Sequence, residues 1–146
     1  MANPTTPYKG NDGRLWINVS ENKTLAATEF GWVQNVIADG LTLTLPASAT
    51  VLAGSEIVLR NGGVPKTGST AGSGDDGSIA FVVTPAAGDG VTGNGFTAAI
   101  NKGVTYVKSG GKVGDELTLA CGGANTAKAW NVREVKGALA NWTRTA

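Results

Sequence analysis

Residues 41–46 read LTLTLP, with apolar and polar side chains alternating at a period of two. That spacing belongs to a strand buried on one face, not to a helix. Leu41, Leu43 and Leu45 are therefore expected to share the inward face, with Thr42 and Thr44 on the other. Pro46 cannot donate to a ladder and ends the strand. The pattern returns at EIVLR, residues 56–60, where Ile57 and Leu59 should point inward and Glu56, Val58 and Arg60 outward. Further β-branched and apolar runs predict strands at Arg14–Val19, Trp32–Ile37, Ser78–Thr84, Gly103–Lys108, Glu116–Cys121 and Trp130–Val135. One short helical turn is predicted at Leu25–Glu29, stopped by Gly31. Eight short strands punctuated by Gly, Pro, Asn and Asp predict an all-β fold, namely an antiparallel β-sandwich that is jelly-roll-like.

The stretch MANPTTPYKGNDG precedes the first predicted strand, with prolines at 4 and 7 and turn formers at its end. It reads as an extended N-terminal arm over residues 1–13, followed by a single domain over 14–146. One domain suits a chain of 146 residues, which can bury about two-thirds of its unfolded surface. Between the predicted strands ending near Asn61 and beginning near Ser78 lies GGVPKTGSTAGSGDDG, the loop Gly62–Gly77. Loops of that length without structure of their own are usually functional or disordered.

TPAAGDGVTGNGF, residues 84–96, contains a G-x-G-x-x-G at Gly88, Gly90 and Gly93. A dinucleotide-binding loop needs a strand before it and a helix opening on it, because the helix N-terminus holds the pyrophosphate. A strand is predicted before it, and Asp115 supplies an acid downstream. After Gly93, however, glycines recur at 95, 103, 110 and 111, and no apolar stripe of helical period follows. The three glycines therefore read as turn chemistry ending a strand, and no cofactor is expected.

Composition narrows the function further. Charged residues make up 16% of the chain, against roughly 25% in an average domain. So sparse a charge suggests that partners cover part of the surface. The net charge of +1 comes without a Lys/Arg block, which disfavours nucleic acid as a partner. No apolar run is long enough to span a bilayer. Residues 1–13 also lack the basic start and apolar stretch of a signal peptide. Lone Cys121 permits no internal disulfide and reads as a small core hydrophobe at the end of ELTLAC. Histidine is absent, which removes the commonest general base and the commonest metal ligand.

No catalytic constellation can be assembled from what is left. Asp75, Asp76 and Asp89 lack the alternating spacing of a calcium loop and read as solvated loop carboxylates. Asp115 and Glu116 are adjacent on a strand, face opposite ways and cannot flank one glycosidic bond. Ser20, Ser48 and Ser55 have no histidine to activate them. Among the tryptophans, Trp32 and Trp130 sit inside strand patterns and read as core. Trp142, in the terminal ANWTRTA, has little sequence left to bury it and is expected against a partner. The N-x-S/T triplets at Asn18, Asn22 and Asn141 are no more than chance would give.

Three segments together resemble a known group of proteins. TLAATEFGWVQNVIADGLTLTLPASATVLAGSEIVLRNGG (24–63) has a short turn before a glycine, a Leu/Thr strand ending in Leu-Pro, and a strand closing on NGG. VVTPAAGDGVTGNGF (82–96) and the tail AWNVREVKGALANW (129–142) follow in the same order. That order is similar to small β-sandwich proteins of tailed bacteriophages, in particular capsid decoration (cement) proteins and related tail-fibre modules. The resemblance implies a non-enzymatic homo-oligomer, dimer or trimer, on the outer surface of the virion, clamping neighbouring subunits of the major capsid protein. It implies no catalysis, and with the charge, apolar runs and spacings above the expectation is no cofactor, no metal, no nucleic acid and no membrane partner. Pro4, Pro7, Tyr8, Trp142 and Arg144 are the expected interface residues. The rival expectation is a carbohydrate- or receptor-binding module of a tail fibre, with exposed Trp rings and loop carboxylates as the sugar site.

Overall fold

The alternating run at 41–46 forms the strand its pattern predicts, and Leu43 and Leu45 are fully buried. Leu41 packs on the core from a half-buried position, and Thr42 and Thr44 are half-buried on the other face. The computed structural model describes residues 2–63, 79–93, 96–123 and 126–145. Most of the loop Gly62–Gly77, with Asp75 and Asp76, lies outside the described residues, as does Ser78.

The strands are β1 (Tyr8–Lys9), β2 (Leu15–Val19), β3 (Lys23–Thr24), β4 (Val33–Val36), β5 (Leu41–Thr44) and β6 (Glu56–Asn61). They continue as β7 (Phe81–Thr84), β8 (Val91–Thr92), β9 (Val104–Tyr106), β10 (Glu116–Cys121), β11 (Trp130–Lys136) and β12 (Trp142–Arg144). The helical turn expected at Leu25–Glu29 is a 3-10 turn at Ala27–Glu29, and Gly31 after it has φ 80°. All eight predicted strands form, and β1, β3, β8 and β12 are additional. The fold is all-β.

Two sheets hold these strands, in the orders β1-β2-β4-β6-β10-β11-β8 and β12-β9-β7-β5-β3. From β2 to β7 the chain alternates between them, so β2, β4 and β6 fall in the first sheet and β3, β5 and β7 in the second. Each link joins a strand of one sheet to a strand of the other, so successive strands of one sheet are separated by a strand of its partner. The β2–β4, β4–β6, β3–β5 and β5–β7 ladders are parallel, as is β8–β11. The antiparallel ladders are β1–β2, β6–β10, β10–β11, β7–β9 and β9–β12. The sheets are therefore mixed, which corrects the expected antiparallel arrangement. Side-chain periodicity determines which face a residue shows, but not which strand lies beside it.

One buried cluster joins the sheets. Val36, Ile57, Leu59, Leu117 and Leu119 contribute from the first, and Leu43, Phe81, Val83, Val104 and Tyr106 from the second. Trp130 is fully buried there, as its strand pattern predicts, and its ring stacks on Phe30 at 5.9 Å. Trp142 also belongs to this cluster, only 3% exposed. Its indole lies 4.5 Å from the Tyr106 ring and meets Phe81 edge-on at 5.7 Å. This corrects the expectation that it faces a partner. The last strand turns back to pair with β9, and that pairing carries the ring inward.

The N-terminal segment does not extend away from the domain. Asn3 binds the turn after β2, with Oδ1 accepting from the Ser20 and Glu21 backbone N–H groups at 2.8 and 3.2 Å. Its Nδ2 donates to the Glu21 carbonyl at 3.1 Å. Tyr8 and Lys9 then pair with Trp16 and Leu15. Residues 3–9 of the expected arm (1–13) are thus laid along the edge of the seven-stranded sheet, tied at two points with Pro4–Pro7 between them.

Candidate functional site

The outer face of the seven-stranded sheet carries a polar row that follows directly from register. Asn18, Asn35, Arg60, Glu116 and Lys136 stand abreast on β2, β4, β6, β10 and β11. Asn35 Nδ2 donates to Asn18 Oδ1 at 3.0 Å, and an Arg60 guanidinium nitrogen donates to Asn35 Oδ1 at 2.8 Å. The largely buried Glu116 carboxylate lies among three cations: Arg14 at 3.2 Å, Lys136 at 3.6 Å and Arg60 at 3.7 Å. A carboxylate so buried is retained where charge partners surround it, and removing a partner costs more than the pair contributes.

A second row, with Trp16, Val33, Val58 and Thr118 abreast, runs beside the first. Val58 was expected to point outward, and it does, yet it is buried along with Val33. The two rows meet at the β1–β2 hairpin. Tyr8 Oη donates to Asn18 Oδ1 at 3.1 Å, and the Arg60 guanidinium lies over the Trp16 ring, 4.8 Å from its centroid. Trp16 Nε1 donates to Asp12 Oδ1 at 3.1 Å, and Arg14 Nε donates to Asp12 Oδ2 at 2.6 Å. Desolvation raises the Asp12 carboxyl, but the Arg14 and Trp16 hydrogen bonds outweigh it and hold the group at about 2. Tyr8 and Trp16, with Lys9, Gly10, Asn11 and Asp12, line an open trough of about 470 Å³.

Two further polar clusters are buried elsewhere. At the β3 edge, Lys23 Nζ donates to Glu29 Oε1 at 2.5 Å and to Gln34 Oε1 at 3.0 Å. A smaller cleft of about 230 Å³ opens beside this pair, bounded by Pro4, Thr5, Ile17 and Trp32. Trp32, expected in the core, is half-buried at that cleft. At the opposite side, Tyr106 Oη donates to Asp115 Oδ2 at 2.5 Å and accepts from Asn61 Nδ2 at 3.0 Å.

The expected interface residues divide. Pro4, Pro7 and Tyr8 lie on the N-terminal segment, and Tyr8 is 46% exposed. Trp142 is core, and Arg144 is half-buried at the end of β12. Asp89 corrects its expected solvated state. It is buried and accepts from the Ser48 backbone N–H and Oγ at 2.8 and 2.9 Å. Asp115 and Glu116 do face opposite ways, one toward Tyr106 and the other onto the outer row. Cys121 is buried, and desolvation raises its thiol pKa.

The glycines of the G-x-G-x-x-G serve the fold. Gly88 has φ 86° and donates its N–H to Asn101 Oδ1. A Cβ on Gly90 would lie 2.2 Å from the Ala99 carbonyl oxygen. Gly93 exchanges two backbone bonds with Phe96. The sequence reading did not single out the outer row or the trough. The signal present was the spacing of Asn18, Asn35, Arg60 and Glu116 on outward positions of their strands, which becomes a row only once β2, β4 and β6 are known to be parallel.

The fold and this face define an all-β domain with a polar, aromatic-edged outer sheet. No protein-family model matches the chain, and no curated protein matches it.

Proposed function

We propose that the protein is a non-enzymatic bacteriophage capsid decoration protein. It binds the outer surface of the assembled head and clamps neighbouring subunits of the major capsid protein. The three-segment resemblance and the sparse charge support this reading, and so does the all-β fold. A jelly-roll connectivity is not among its supports.

The observation that carries it is the N-terminal segment. Residues 3–9 lie on the surface at the free edge of the seven-stranded sheet, held by the Asn3 bonds and a two-residue ladder. Such an edge offers backbone groups to a strand of a neighbouring protein. Pro4 and Pro7 restrict the conformations the segment loses on binding, and Tyr8 offers an anchor. A protein that binds only the assembled, expanded shell stabilises that shell by mass action, and many linked copies multiply the effect. The partners are the major capsid protein and further copies of this chain, on the outer capsid surface of the virion.

Co-sedimentation with expanded and unexpanded capsids tests the reading. The protein should pellet with expanded capsids only. Deleting residues 2–7 should weaken pelleting by about tenfold or more, while the melting temperature of the free protein falls by only a few degrees. Failure to pellet with either form of capsid removes the decoration role. Undiminished pelleting of the truncated protein removes the segment from it.

A further inference from the structure

We infer that the trough over Tyr8 and Trp16 is a binding site for a neutral pyranose ring of a glycan. The inference does not rest on head decoration, although the trough shares Tyr8 with the N-terminal segment. A pyranose has an apolar C–H face and a rim of hydroxyls, each of which donates one hydrogen bond and accepts others. The trough matches both features. The packed rings of Tyr8 and Trp16, centroids 6.3 Å apart and inclined at 37°, form its aromatic side, and Lys9, Asn11 and Asp12 are its polar lining. An ammonium, an amide and a carboxylate together supply donors and acceptors for hydroxyls on either side of a ring.

The site is held in place before a ligand arrives. Trp16 is fixed at its nitrogen by Asp12, and the Arg60 guanidinium covers its ring. Gly10 lies so close that a Cβ there would sit 2.5 Å from Trp16 Nε1. Asp12 is itself held by Arg14 through both a side-chain and a backbone bond. A preorganised site loses less conformational entropy when it binds.

The volume of about 470 Å³ falls in the range of small-ligand pockets, roughly 300–1,000 Å³. A protein hot spot is instead sealed from water by the contacts around it, whereas this rim is polar and open. Charge favours a neutral sugar over an acidic one. Arg14 and Arg60 are already engaged by Asp12 and Glu116, and on the rim the Lys9 ammonium and the Asp12 carboxylate offset each other, which leaves no net charge to select an anion.

The test follows the four indole N–H resonances of the ¹⁵N-labelled full chain. Neutral oligosaccharides of glucose, galactose, mannose and N-acetylglucosamine are added in turn. At least one should move the Trp16 resonance saturably and leave those of buried Trp130 and Trp142 in place. Measured by titration calorimetry with the same sugar, Trp16→Ala and Tyr8→Ala should each weaken that binding by about tenfold or more, while Trp32→Ala, at the other cleft, leaves it unchanged. Tyr8 is on the surface, so its variant keeps the test open should Trp16→Ala fail to fold. The proposal fails if none of the sugars moves the Trp16 resonance, or if binding survives in folded Tyr8→Ala. It also fails if Trp16 responds to purified capsids and to none of the sugars, which would assign the trough to protein. Capsid pelleting lost on deleting residues 2–7, with sugar binding intact, would separate the two sites.

Discussion

Replacing Trp142 by alanine is expected to destabilise the free protein by about 3–5 kcal/mol, the range for emptying a large aromatic site in a core. The ring is 3% exposed and packed against Tyr106 and Phe81. Aromatic contacts of this geometry add to the burial itself. The alanine methyl would fill little of the space, and the neighbours belong to two ladders, β7–β9 and β9–β12, that limit collapse. Such a loss is a large part of the 5–15 kcal/mol that holds a typical domain together. Urea unfolding should show a lower midpoint at an unchanged slope, and Trp142→Phe should recover much of the loss. If the free protein keeps its midpoint in Trp142→Ala, the side chain is not in the core and its role as a partner contact returns.

Trp142 shows where sequence reading runs out. Periodicity located the strands because it depends on one residue's relation to its immediate neighbours, as at Leu41–Leu45 and Glu116–Cys121. The two-residue strands carry no period to read, and β12 lies in a terminal segment with no apolar alternation around it. β1, β3, β8 and β12 exist because a neighbouring strand offers them an edge. The terminal segment therefore reads as a tail, and its aromatic residue as a surface one. Strand direction failed for a related reason. A short turn between two β-like runs reads as a hairpin, yet between β2 and β7 each link crosses to the other sheet.

The outer row was illegible on the same ground. Asn18, Asn35, Arg60 and Glu116 are scattered through a hundred residues and match no motif. Parallel pairing of β2, β4 and β6, followed by antiparallel pairing with β10, brings them side by side. The trough was half legible. Tyr8 was singled out from its segment, whereas Trp16 had no assignment until the hairpin placed it opposite Tyr8. Asp89 misled in the other direction. A carboxylate in a glycine-rich loop reads as solvated, and only the approach of Ser48 shows that it satisfies a buried hydroxyl and N–H.

Raising the pH from about 10 to about 12 is expected to destabilise the protein through Tyr106. Burial pushes its phenol up to about 12, and the hydrogen bond to Asp115 adds to the effect, against the opposing bonds from Asn61 and Lys112. An unfolded tyrosine ionises near 10. Below that pH both states hold the proton, and the contribution of the group is fully present. Between the two values the unfolded chain releases the proton and the folded one keeps it, so stability falls as pH rises. The network at stake joins the two sheets. Tyr106 Oη on β9 binds Asn61 on β6 and the Lys112 N–H, while Asp115 Oδ2 also accepts from Asn141 at 3.2 Å. Tyr106→Phe removes the hydroxyl and leaves the buried Asp115 short of a donor, at a cost of about 1–3 kcal/mol at neutral pH. The informative quantity is the difference between wild type and variant in urea unfolding, which isolates this one hydroxyl. That difference should be largest at neutral pH and shrink as the pH passes 10. A gap that stays constant to pH 12 would show that the phenol does not titrate differently in the two states.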